Sequence, residues 1–280
     1  AWLPAWADNS QKPFNTQELS TPFLKPTEAL RAITVPKGFR VQLAASEPMV
    51  QQPIDMAWDE RGRLWIAECY TYAEKETNFE KKLKDRIIIL EDTNQDGVFD
   101  KRKIFWDQAS QLTSIEIGFG GVWAACAPNI LFLADKNGDD KPDGEPQVIL
   151  DGFDNDKVRH NIVNGLRWGP DGWLYAAQGS TVSGNIKHYG TKESPIRSMG
   201  QCIWRYHPQQ KKYEVFAEGG GNTFGVEFDS YGRVYSGYNG GNTRGFHYIQ
   251  GGYYLKGFSK HGQLPNPYAF GYFPAMTHSQ

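Results

Sequence analysis

The chain of 280 residues sets 30 Lys and Arg against 32 Asp and Glu, a net charge of −2, so it offers no basic field to nucleic acid or anionic lipid. No run reaches the roughly eighteen apolar residues that a membrane-spanning helix needs. An apolar share of 39%, with 30 Gly besides, is that of a folded chain able to bury a core without disulfide staples.

Composition already leans toward β-structure. Aromatic residues make up 14%, nine of them Trp, and 16 Pro accompany the glycines. Frequent turns separated by large flat side chains suit short strands.

Residues 1–38 form a polar, Pro-punctuated arm, with Pro4, Pro13, Pro22, Pro26 and Pro36. One short helix is expected within it, with Thr27 as N-cap ahead of Glu28, Ala29 and Leu30. Ala5-Trp6-Ala7 fits the small-x-small end of a secretory signal and points to a periplasmic or secreted protein. Cys69, Cys126 and Cys202 lie beside apolar runs without CxxC spacing and read as buried thiols. No CxxCH occurs, so no haem is attached within this segment.

From residue 39 to 280 a repeat governs the pattern. Asp-Glu-Arg-Gly-Arg-Leu-Trp (59–65), Pro-Asp-Gly-Trp-Leu-Tyr (170–175) and Asp-Ser-Tyr-Gly-Arg-Val-Tyr (229–235) are copies of one element, and Gly120-Gly121-Val122-Trp123 is a weaker one. In each, a turn delivers a Gly, and a branched residue and an aromatic then begin a strand. The marker glycines 62, 121, 172 and 232 recur every fifty to sixty residues. That period predicts an all-β propeller of about four four-stranded blades, part of a larger ring. A β-sandwich with coincidental turns is the alternative.

Two acidic loops interrupt the strands. DTNQDGVFD (92–100) and DKNGDDKPD (135–143) place oxygen side chains at positions 1, 3, 5 and 9. These are Asp92, Asn94, Asp96 and Asp100, then Asp135, Asn137, Asp139 and Asp143. Alternate oxygens in a tight loop aim at one centre and suit calcium in a structural role. Lys103 and Pro146 stand at position 12, so neither loop is an EF-hand. A plain Asx-rich hairpin turn is the competing account.

Two further segments carry candidate chemistry. His160 precedes the third marker, where a loop enters a strand, and could take a proton from a substrate hydroxyl. Arg159, Asn161, Asn164 and Arg167 give it a polar setting. The Gly-rich runs 218–225 and 237–254 set Asn222, Asn239, Asn242, Arg244 and His247 beside glycines, open to a flat polar ligand. Tyr238, Tyr248, Tyr253 and Tyr254 could stack on a sugar or quinone, or else pack between blades.

Taken together, GFRVQLAASEPMVQQPIDMAWDERGRLWIAE, the first acidic loop, RHNIVNGLRWGPDGWLYAAQG and NTRGFHY resemble the N-terminal propeller of the PVC-type haem-binding proteins, described as membrane-bound dehydrogenases. More distantly the chain is similar to the soluble quinoprotein glucose and sorbosone dehydrogenases. That resemblance implies a six-bladed ring, pyrroloquinoline quinone and calcium as cofactors, a sugar or alcohol substrate, and electron transfer toward a cytochrome c-type module or partner. It further implies His160 as general base before Gly169-Pro170-Asp171 and Asn222 as a cofactor contact; Asn164, in the polar setting of His160, is read as a second contact. Arg244 would stand in for the family's quinone-binding Arg, whose position holds Gly221. The family's Gly-Asp after the same strand reads Gln178-Gly179. The rival expectation is a non-enzymatic, calcium-stabilised propeller that binds a glycan or protein.

Overall fold

The computed structural model describes residues 23–72, 79–156, 158, 161–179, 182–237, 245–256 and 271–273. Its opening element is a short helix, α1 (Pro26–Ala32), with no buried residue. Its N-cap is Lys25 rather than Thr27: Pro26 occupies the first turn with φ already set, and Glu28 reaches back to the Lys25 amide at 3.0 Å.

The strands then follow the predicted repeat. Blade 1 is β1 (Pro53–Trp58), β2 (Leu64–Glu68), β3 (Asp85–Glu91) and β4 (Lys101–Ala109), all antiparallel in that order. Blade 2 is β5 (Leu112–Ile117), β6 (Gly121–Cys126), β7 (Asn129–Ala134) and β8 (Gln147–Phe153). Blade 3 begins with β9 (Val163–Trp168) and β10 (Leu174–Gln178). A hairpin, β11 (Ser183–His188) and β12 (Ile196–Met199), leaves it and extends the outer edge of blade 2 by pairing with β8. The blade resumes with β13 (Cys202–His207) and β14 (Lys212–Gly220). A fourth unit follows as β15 (Glu227–Phe228), β16 (Val234–Gly237) and β17 (Gly245–Tyr248). β18 (Gly252–Lys256) and β19 (Gly271–Phe273) then add in parallel beyond β14.

The repeat period thus marks whole sheets, and the marker glycines sit in the turn between the first and second strands of each. Gly62, Gly172 and Gly232 have φ of 73°, 79° and 76°. In the weaker copy the left-handed residue is Gly120, φ 76°, one position before the marker, because Gly121 already begins β6. The second strands β2, β6 and β10 are mostly apolar and buried throughout, with both faces covered; for β2 the covers are blade 2 and the segment holding Ala44, Ala45, Met49 and Val50. One apolar cluster joins blades 1 and 2 through Trp65, Ile87, Phe105 and Ile115. Another joins blades 2 and 3 through Trp123, Phe153, Leu174 and Trp204.

The first strands of successive blades lie side by side without forming one sheet, so side-chain oxygens stitch them. Ser114 Oγ on β5 donates to Asp55 of β1, and accepts the Leu166 amide of β9 at 2.8 Å. Thr113 Oγ1 donates to the Val163 carbonyl. Arg167 of β9 bridges Glu116 of β5, at 3.3 Å, and Glu227 of β15, at 2.8 Å. Burial pushes the Asp55 and Glu116 carboxyls above the usual range despite these partners. The three cysteines form no disulfide and are buried, and burial raises the Cys69 thiol to about 11.

The stitching has a direct test. Ser114→Ala strands a buried amide and removes a donor from Asp55, which costs about 2 kcal/mol. Urea denaturation is expected to show the lower midpoint, and an unchanged midpoint would dissociate Ser114 from blade cohesion.

Candidate functional site

The seam between blades 3 and 4 gathers the polar residues singled out in the sequence. Asn161 is buried and its Nδ2 donates to the carbonyls of Asn222 and Thr223, each at 3.1 Å. Asn164 is fully buried, donates to Asn161 Oδ1 and the Ile162 carbonyl at 2.7 Å, and accepts the Gly225 amide at 2.8 Å. Thr223 Oγ1 closes the seam on the Gln178 carbonyl at 2.6 Å. Gly165 makes this contact backbone to backbone, and Gly179 makes room for Asn161 within blade 3. A Cβ on Gly179 would stand 2.4 Å from the Asn161 carbonyl, and one on Gly165 2.5 Å from the Gly225 Cα.

This sorts the predicted residues. Asn164 is committed to the seam and serves to hold the 222–225 segment. Asn222 is half-buried and left-handed, φ 53°, at the edge of the same seam. His160 and Arg244 lie outside the described residues, as do Arg159, Tyr238, Asn239 and Asn242. Gln178, in place of the family's Gly, is buried and bonded to Ser198 at 3.0 Å and Cys202 at 3.3 Å. The glycines at 219 and 220 leave no ligand cradle. A Cβ there would meet the Tyr254 carbonyl at 1.9 Å and the Tyr248 hydroxyl at 2.2 Å. Tyr248 and Tyr254 are core residues packed on Phe246, so of their two sequence readings blade packing holds.

The two acidic loops share one backbone. Positions 4 and 6 are left-handed in both: Gln95 (60°) and Gly97 (86°), Gly138 (69°) and Asp140 (68°). That geometry turns the amides inward. Asp92 accepts the amides of Asp96 and Gly97, and Asp135 those of Asp139 and Asp140. Asn94 and Asn137 each cap position 5, and Asp100 and Asp143 each accept the amide of position 2. These hydrogen bonds hold Asp100 below the usual carboxylate range, Thr93 being the main donor. Among the described residues, no three His, Cys, Asp or Glu side chains converge as a metal cluster. The loops therefore stand as two oxygen-rich loops, each built from three carboxylates and one amide.

Between the loops and the β1–β2 turn lies a polar cavity of about 550 Å³, lined by Arg61, Arg63, Lys101, Lys103, Asp92 and Asp139 among others. Sequence reading gave the repeat's Gly a role but missed its Asp. Asp59 Oδ1 accepts the amides of Arg61 and Arg63, while Oδ2 accepts Arg63 Nε at 2.7 Å and Trp65 Nε1 at 3.0 Å. Arg63 also reaches Asp140 at 2.8 Å, where Lys103 joins it, tying the turn to the second loop. Burial works against the Asp59 and Asp140 carboxylates, but these bonds and cations win and hold both below their usual value. Asp229 repeats the arrangement with Arg233 at 2.6 Å.

A pH dependence follows with definite sign. Carboxylates that ionise more readily when folded contribute stability that is complete above about pH 4 and drains away as pH falls through the folded value. Asp140→Asn is therefore expected to lower the neutral-pH melting temperature and flatten the fall below about pH 4. A variant curve parallel to the wild type would remove Asp140 from the latch.

Several solved structures share the architecture. A 17% identical match is the PQQ-bound aldose sugar dehydrogenase of Streptomyces coelicolor, covering 76% of this chain and 64% of that one, with a TM-score of 0.49. The holo PQQ domain of pyranose dehydrogenase from Coprinopsis cinerea is 16% identical over 76% of this chain and 52% of its own, TM-score 0.51. An oxidoreductase (glucose dehydrogenase) of Thermus thermophilus is 17% identical over 81% and 69%, TM-score 0.50. The chain thus spans less than two thirds of the first two, and at these identities the last two support the propeller fold alone. No curated protein matches significantly. Residues 25–269 match the model of a domain of unknown function, DUF7133, and the chain belongs to that family.

Proposed function

We propose that this propeller is a sugar or alcohol dehydrogenase-like domain that oxidises a hydroxyl or aldose and passes electrons toward a haem-bearing module, in the periplasm or outside the cell. The observation that carries the reading is the Asn161 clamp. Asn161 follows His160 in the chain, and its side chain binds the carbonyls of residues 222 and 223. Two segments about sixty residues apart, each assigned ligand chemistry on sequence grounds, are therefore joined across one seam.

The residues divide the work chemically. His160 takes the hydroxyl proton, a role an imidazole fills near neutral pH. Asn222 would hold the cofactor as a hydrogen-bond donor, and Arg244 would supply a cation beside it. Pyrroloquinoline quinone, when bound, supplies the two-electron acceptor. Asn222, half-buried at the seam's edge, is the described residue that the resemblance assigns to this group.

Calcium fits the acidic loops by donor chemistry. Every ligand is an oxygen, and among the described residues no Lys or Arg forms an ion pair with Asp92, Asp96, Asp100, Asp135, Asp139 or Asp143. Asp92, Asn94, Asp96 and Asp100 would hold one ion, and Asp135, Asn137, Asp139 and Asp143 a second.

A second reading, a calcium-stabilised module that binds a glycan, draws on exposed aromatics at the turns. Trp58, Phe119 and Tyr231 are 61%, 54% and 83% exposed, and Phe119 lies 4.8 Å from Trp168. Flat exposed rings suit sugar faces.

Two experiments separate these accounts. His160→Ala is expected to abolish dye-linked aldose oxidation, by roughly a hundredfold or more, while leaving circular dichroism and calcium content unchanged. Retained oxidation would remove His160 as the base. Chelation is expected to release two calcium ions per chain and lower the melting temperature, by several degrees for a domain of this size. Unchanged metal content and melting temperature would leave the loops as plain turns.

A further inference from the structure

We propose that the polar cavity beside the acidic loops is a ligand site of its own, one that takes a sugar acid, with the Arg61 guanidinium gripping the carboxylate. The inference rests on the calcium reading of the loops for its charge balance, and on the described cavity alone for its geometry.

The walls restrict the class of ligand. At about 550 Å³ the cavity has room for an organic molecule, and apart from two glycines every residue that lines it is polar or charged. An aliphatic or aromatic ligand would find no apolar surface to cover. The cations of the cavity differ in what they already hold. Arg63 and Lys103 converge on the buried Asp140, and Arg63 also holds Asp59. Lys101 meets Glu91 at 2.7 Å. Arg61 is the exception: its side chain is 53% exposed, its ion pair with Glu60 is long, at 3.9 Å, and among the described residues no acceptor takes a hydrogen bond from its guanidinium.

The fold gives that guanidinium no structural task. Asp59 gathers the amides of Arg61 and Arg63, but only the guanidinium of Arg63. The β15–β16 turn repeats the arrangement with Asp229 and Arg233, and there Tyr231 stands at the position of Arg61. The turn thus requires the amide at this position and not the side chain. In blade 1 the side chain is placed all the same. Gly138 of the second acidic loop is left-handed, φ 69°, and Arg61 Nη2 lies 3.0 Å from where its Cβ would stand. A missing side chain in the loop makes room for the guanidinium at the cavity wall.

Free guanidinium donors match a carboxylate in a planar, two-bond pairing. Asp92, Thr93, Gln95 and Asp139 line the same cavity and suit hydroxyls, which both donate and accept. One carboxylate on a hydroxyl-rich body answers both kinds of group, and an aldonate or a uronate has that form. The three carboxylates of each loop oppose an anion until calcium offsets them, so binding should be strongest in the calcium-loaded chain.

The test titrates the full chain calorimetrically with gluconate, galacturonate, glucose and sulfate, at fixed free calcium and again after chelation. One or both sugar acids are expected to bind, gluconate marking an open-chain ligand and galacturonate a ring. Arg61→Gln should weaken that binding about tenfold or more. The same variant should keep dye-linked aldose oxidation, any binding of glucose, and a melting temperature within about two degrees of wild type. Arg61→Lys, which retains the charge without the fork, should recover only part of the affinity.

A calcium-loaded chain that binds neither sugar acid overturns the proposal. So does sulfate binding as tightly as the sugar acids, which would mark a plain anion patch. An affinity that Arg61→Gln leaves unchanged overturns it too, as does a fall of many degrees in the melting temperature of that variant. If the chain holds no calcium, the calcium reading fails by itself. Sugar-acid binding that Arg61→Gln weakens then still supports the site, and its absence overturns it.

Discussion

A small twisted sheet with two apolar faces is stable only when something covers both, and the rest of this molecule depends on that constraint. Blades stack because β2, β6 and β10 are buried on both sides. Stacking carries the problem to the axis, where neighbouring first strands approach but cannot share a ladder. Their leftover backbone groups are satisfied by short side chains: Ser114 and Asp55 between blades 1, 2 and 3, Asn164 between blades 3 and 4. Apolar burial drives the assembly, and these few polar bonds fix its register.

The same economy of means recurs at the turns. One carboxylate gathering the amides of a left-handed stretch caps the β1–β2 turn through Asp59 and the β15–β16 turn through Asp229. The acidic loops use it again through Asp92 and Asp135. What differs is the company. Asp59 and Asp229 meet an arginine, and Asp140 meets both Arg63 and Lys103. Among the described residues, the carboxylates at positions 1, 5 and 9 of the loops meet amides and hydroxyls instead. A turn carboxylate with its own cation is electrically complete.

The blade pattern was legible because it is local. A left-handed Gly followed by a branched residue and an aromatic writes the β1–β2 turn directly into the chain, four times over. Elements outside that period were not legible. The β11–β12 hairpin carries Gly184 and Lys187 where a blade strand would be apolar, and its place beside β8 follows from a pairing no local signal encodes. Parallel addition of β18 to β14 is hidden for the same reason. At the site, Asn161 and Asn164 were visible as polar residues before a strand. Their partners, the carbonyls of 222 and 223 and the amide of Gly225, are backbone groups about sixty residues away, and backbone groups have no sequence signature. The glycines at 219 and 220 misled in the opposite sense. Gly permits close approach by anything, and here Tyr254 and Tyr248 make that approach.

That ambiguity explains why polar residues near a propeller axis are poor guides when taken singly. A first strand needs amides and hydroxyls to join its neighbours, and a ligand site at the axis needs the same groups. Their functions separate only by how many of their hydrogen bonds the protein itself consumes. Asn164 gives its donors to Asn161 and Ile162 and its oxygen to Gly225, and Thr223 is closed on Gln178. Asn222 enters the clamp through its carbonyl, at the seam's edge. The residues that hold these blades together also fix the backbone of the segment they grip.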